Sequence, residues 1–156
     1  MSRAIRRGWV LSGIALCAVL AGPVGVAQAS DNTLRVTLNN YATKITNDEN
    51  AVKNGLDVQY PRGHWKKLTR ALKHEVSDLR ALRAKLTAER ASTHRGTKAK
   101  HEIVRGLSLI ASAYEALRND VLAVNGGAVP VSQVDAAIAT DKKGRAKLKA
   151  GLKLLS

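Results

Sequence analysis

The chain has 156 residues and carries 26 lysines and arginines against 12 aspartates and glutamates, a net charge of +14. That length suits one ordinary domain after any leader is removed. A single cysteine and a single methionine argue against a disulfide framework, a thiolate metal site and methionine-ligated haem.

Arg3, Arg6 and Arg7 make the start positive. An apolar run follows over residues 9–26, broken by Gly22-Pro23, and Ala27-Gln28-Ala29 precedes the polar Ser30-Asp31. A positive flank, an apolar stretch and an A-x-A site, in that order, predict a secretory signal peptide cleaved after Ala29. The protein is then secreted or extracytoplasmic, in the periplasm or cell envelope. The rival is an uncleaved anchor, since the run is about long enough to span a bilayer; Pro23 and the A-x-A site favour cleavage. Cys17 follows Leu16, where lipidation wants a small residue, so it reads as apolar filler lost with the peptide. Residues 30–156 form a single cysteine-free helical domain, which a hydrophobic core alone must hold together.

Four helical segments follow. In the first, over 32–54, Leu34, Leu38, Tyr41, Ile45 and Val52 recur at spacings near three and four. Ser30 or Asp31 can cap it and Gly55 can end it, although residues 33–38 also alternate like a strand. The second spans 64–92, after Pro61 and Gly63. Its stripe is Trp65, Leu68, Leu72, Leu79, Leu82 and Leu86, with Val76 beside it. The third spans 97–124 and keeps a 4-3-4-3 spacing through Ile103, Leu107, Ile110, Tyr114, Leu117, Val121 and Val124, one side of a helix. Asn125-Gly126-Gly127 stops it, and Pro130 forbids its continuation. Ser132-x-x-Asp135 resembles a capping box opening the fourth. There the stripe is Val131, Val134, Ile138, Leu148, Leu152 and Leu155, with Asp141 and Arg145 at seam positions and Gly144 weakening the middle. A kink, a frayed end or a buried Asp–Arg pair would each fit.

Short turns between amphipathic helices predict an all-α, antiparallel up-down four-helix bundle with coiled-coil-like packing. A hairpin of the second and third helices with two flanking helices is the competing architecture.

Charge is uneven along this domain. Removing the three leader arginines leaves 23 Lys and Arg against 12 Asp and Glu. Residues 62–105 hold 13 basic and 4 acidic residues, and residues 142–156 hold 6 basic and none acidic. Residues 30–61 and 106–141 carry no excess. In an up-down bundle the turn after the second helix and the C-terminus share one end. That topology would gather Arg90, Arg95, Lys98 and Lys100 with Lys142, Lys143, Arg145, Lys147, Lys149 and Lys153 at one basic pole. Such a pole attracts polyanions by long-range field and counterion release. Anionic lipid headgroups and cell-wall phosphate polymers are the expected partners. The plainer interpretation is a solvated face that keeps the protein soluble.

Nothing in the sequence points to an enzyme or to a cofactor. His64, His74, His94 and His101 lack the company of a metal site. There is no nucleophile elbow and no phosphate-binding glycine loop. Sequence-specific nucleic-acid recognition is disfavoured, because Tyr41, Tyr60, Trp65 and Tyr114 are the only aromatic residues after the leader and no recognition motif is visible. Two functions remain: a non-enzymatic protein docking a basic pole on anionic surfaces or polymers, and a structural or adaptor module that associates with itself or another protein.

Overall fold

Leu34, Leu38, Ala42, Ile45 and Val52 recur at helical spacing and are all buried, on a helix α1 that spans Ala29–Asn54 in a computed structural model describing residues 29–156. The expected signal peptide lies outside the described residues, apart from its last one. The strand-like alternation over 33–38 is helical after all: Val36, the residue that creates it, points away from the core at 50 % exposure.

Gly55 does not end the helix as expected. The chain continues through a π-turn, Gly55–Gln59, and a 3-10 turn, Tyr60–Arg62, and stops at Gly63 in the left-handed region, φ 78°. The Gly63 and His64 amides close back onto the carbonyls of Tyr60 and Gln59, a Schellman stop. Gly55 serves a packing role instead, since a Cβ there would sit 2.8 Å from Leu68 Cδ1 and 3.1 Å from Leu68 Cα.

Helix α2 spans Trp65–Ala88 and α3 spans His94–Ala123. The turn between them therefore falls a few residues earlier than expected. Thr93 is the reason: its Oγ1 accepts from the Gly96 amide at 2.8 Å and starts α3 at His94. Asp31 at the head of α1 accepts from the Ser92 amide at 3.0 Å and from the Thr93 hydroxyl, tying α1 to this turn. Asn125 at φ 48° and Gly126 at φ 78° end α3, with the Gly126 amide on Val121 O and the Asn125 amide on Leu122 O, a second Schellman stop. Trp65 covers this turn so closely that a Cβ on Gly126 would overlap its ring.

Helix α4 spans Val131–Leu155 with Pro130 as its N-cap and no side-chain cap bond, so the Ser132–Asp135 capping box does not form. Pro130 supplies the turn conformation and the helix begins a residue before Ser132. Val131, expected on the apolar stripe, is 55 % exposed. Gly144 does not interrupt the helix, which runs unbroken through it.

Neighbouring helices run antiparallel, as their contacts require. Lys44 meets Asp78 and Thr37 meets Glu89 across α1 and α2. Arg80 meets Glu115 and Arg83 meets Ser108 across α2 and α3. Between α3 and α4, glycines let the backbones touch: a Cβ on Gly106 would lie 2.7 Å from Gly144 O, and one on Gly151 would lie 2.8 Å from Ala99 O. The described residues contain no strand, and their four long helices share one core with Leu56 and Val129. None of these helices is long and apolar enough to cross a membrane.

Candidate anion-binding pole and a buried ion layer

The α3–α4 register sets where the basic residues lie. Ala99 faces Gly151 and Gly106 faces Gly144, so the end of α4 lies beside the start of α3. Arg95 Nη2 approaches the Ser156 carbonyl at 3.5 Å. Arg90, Arg95, Lys98, Lys149 and Lys153 are all exposed at or near this end. In the same register Lys153 is level with the first turn of α3 and Lys149 about one turn further along.

Other members of the expected set have different places. Arg145 is not at the surface: its side chain is 12 % exposed and bonded within the core. Lys147 pairs with Glu102 at 2.9 Å. Lys100 donates to the carbonyls of Thr87 and Glu89, closing the end of α2. Lys142 and Lys143 are exposed, but beside Gly144 they sit roughly 20 Å from the end of α4 at 1.5 Å per residue, on the body of the molecule.

Asp31 brings a negative charge to the same end. Burial pushes its pKa up, but the bonds from Thr93 and Ser92 outweigh that and hold it below the ordinary carboxylate value. A carboxylate at the start of α3 also suits the helix dipole.

Arg145 is the centre of a polar layer midway along the helices. Its Nε donates to Asp141 Oδ2 at 2.9 Å, Nη1 to Glu49 Oε1 at 3.0 Å and Nη2 to the Tyr114 hydroxyl at 2.9 Å. One guanidinium thus joins α1, α3 and α4. Burial works against its charge, but Tyr114, Asp141 and Glu49 outweigh that and its pKa is raised. Burial also raises Asp141 and Glu49, with Arg145 opposing both shifts.

Glu75 of α2 joins this layer with 0 % exposure and no hydrogen-bond partner for either oxygen. Burial first, then Glu49 and Asp48, push its pKa up to about 9, so the side chain is a neutral acid at pH 7. Beside it lie two more carboxylates that shift one another in opposite directions, Asp48 and Asp78. Burial and the bond to Asp78 push Asp48 up to about 6. Asp78 is desolvated too, yet bonds from Asp48 and Lys44 leave it lowered, and Lys44 Nζ lies 2.7 Å from its Oδ1.

The sequence flags Asp141 and Arg145 but passes over Glu75. The signal was present: Leu68, Leu72, Leu79, Leu82 and Leu86 keep a 4-3 rhythm only if residue 75 fills the gap. Among the described residues, no group of three or more His, Cys, Asp or Glu side chains could hold a metal ion. Comparison with known proteins finds no match, whether to a family model, a curated protein or a solved structure.

Proposed function

We propose that the chain is an exported, non-enzymatic binding protein, an up-down four-helix bundle that docks the pole formed by Arg90, Arg95, Lys98, Lys149 and Lys153 on anionic lipid headgroups or phosphate polymers of the cell envelope. The observation that carries this reading is the α3–α4 register. Glycine contacts from Ala99–Gly151 to Gly106–Gly144 bring two basic segments, distant in sequence, to one end, where these five side chains stay exposed. Three carboxylates lie near them, each turned to a neighbour: Asp31 into the Ser92-Thr93 turn, Glu89 toward the Thr37 hydroxyl, and Glu102 toward Lys147.

The adaptor reading, in which α4 joins another chain, has less to support it. Val134, Ala137, Leu148, Leu152 and Leu155 of α4 are already buried within this chain, and Val131 is the one large apolar residue of this helix that is exposed.

The test is binding to vesicles of anionic and of zwitterionic phospholipid, and to a polyphosphate polymer. Binding should require the anionic probes and weaken steeply with salt. Each Lys or Arg near an anionic leaflet contributes about 1 kcal/mol. Reversing Lys149 and Lys153 to Glu should therefore weaken vesicle binding by at least about thirty-fold. Salt-insensitive binding, or equal binding to zwitterionic vesicles, would refute the proposal.

A further inference from the structure

A second concentration of charge lies away from the pole, in the groove between α2 and α3. A cavity of about 320 Å³ opens there, lined by Lys73, Val76, Ser77, Arg80, Glu115 and Arg118. Lys73, Ser77 and Arg80 follow one another at i, i+4 and i+7 along a single ridge of α2, and Glu115 and Arg118 answer at i and i+3 on α3. Val76, 6 % exposed, joins this lining to the core.

The groove is prepared for an anion in three ways. Arg80 is held in place by Glu115, Nη2 to Oε2 at 2.5 Å, which orders a guanidinium at the rim. Arg118 is the single Lys or Arg in residues 106–141, and its half-buried side chain lines the groove opposite Lys73 and Arg80. Lys73 is exposed with no ion pair among the described residues. Three cations against one carboxylate leave the lining at +2, and Ser77 adds a hydroxyl.

We infer that this α2–α3 groove binds a dianionic tetrahedral oxyanion, in kind a phosphate monoester, with Arg118 and Lys73 as its main charged partners. Charge matching selects the class. A phosphate monoester carries about −1.5 to −2 at pH 7 and offers three acceptor oxygens, whereas a carboxylate or a phosphodiester carries only one negative charge. The cavity volume lies at the small end for ligand sites, with room for a phosphate and a few further heavy atoms. The guanidinium of Arg118 suits such a group, because its planar fork pairs with two oxygens at once. The site is independent of the pole, so either can fail without the other.

The test is titration of the purified protein, followed by backbone amide shifts in NMR and by calorimetry, with inorganic phosphate, glycerol phosphate and dimethyl phosphate as probes. Saturable shifts at the Ser77 and Arg118 amides are expected, with glycerol phosphate bound at least about ten-fold tighter than the monoanionic dimethyl phosphate. Arg118→Gln should weaken binding by about ten-fold or more. Lys73→Ala, at an exposed helix position, should weaken it several-fold. Lys149→Glu with Lys153→Glu should leave it unchanged. Vesicles with phosphatidate headgroups, compared with glycerol phosphate, separate a lipid source from a soluble one. Shifts confined to the pole, no saturation at tens of millimolar, or full affinity in the Lys73→Ala and Arg118→Gln variants would overturn the assignment.

Discussion

Glu75 shows how a single side chain can set the pH response of the protein. Its pKa is pushed up to about 9 in the folded state against an ordinary value of 4.5. Between those values the native state holds a proton that the unfolded state has released, so stability falls as pH rises through this window. Asp48, pushed up to about 6 from 3.8, acts in the same direction over a narrower range. Glu75→Gln keeps the shape and removes the titration. The gap between variant and wild type in chemical denaturation should therefore widen from about pH 5 to about pH 9; a constant gap would refute the neutral buried acid. Asp31 has the opposite sign. Its lowered pKa stabilises above the ordinary carboxylate range, and that stability is lost as pH falls through the folded value. Asp31→Ala removes the acceptor for Ser92 and Thr93 and should cost about 1.5–3 kcal/mol near pH 7, read as a lowered denaturation midpoint.

At the scale of elements, the α3–α4 pair turns on residues with no side chain. In an exposed helix interior, replacing Gly by Ala gains about 1 kcal/mol. Here the sign reverses, because a Cβ on Gly144 would lie 2.7 Å from Ile110 Cγ1 and 2.9 Å from Gly106 O, and one on Gly151 would lie 2.5 Å from Ile103 Cγ1. Gly144→Ala and Gly151→Ala should each lower the melting temperature, with losses of about 1–3 kcal/mol from overpacking. A rise in melting temperature for either would contradict the close approach. The two Schellman stops belong to this scale as well. Asn125 adopts φ 48°, so Asn125→Gly should be neutral or stabilising in the same melts, while a β-branched residue there should destabilise.

For the whole molecule, distribution of charge counts for more than its total. A net charge of +14 for the chain, or +11 without the three leader arginines, gives any anionic surface a long-range pull, so a control must hold net charge constant. Lys142→Glu with Lys143→Glu changes net charge as much as Lys149→Glu with Lys153→Glu, but on the body of the molecule. Under the proposed pole, the second pair of changes should weaken vesicle binding at least about ten-fold more than the first, at one matched ionic strength. Equal losses would mean that only net charge matters.

Much of the architecture was legible from apolar spacing alone. The α3 stripe from Ile103 to Val121 is buried as its 4-3 rhythm demands, because burying that side is the only way such a helix is stabilised in water. The uneven charge was equally plain in the chain. Turn details were not: Gly55 and Gly144 carry the same letter as a helix stop, and only the approach of Leu68 and Ile110 shows that both serve packing. Which lysines stay free was hidden too, since Arg145 and Lys147 differ from Lys149 only in the neighbours that Glu49, Asp141 and Glu102 provide. Sequence by itself determined the helices and their apolar sides, because these follow from local periodicity. The fate of each charge and the conformation at each glycine were decided by the tertiary structure, because both depend on atoms brought from distant parts of the chain.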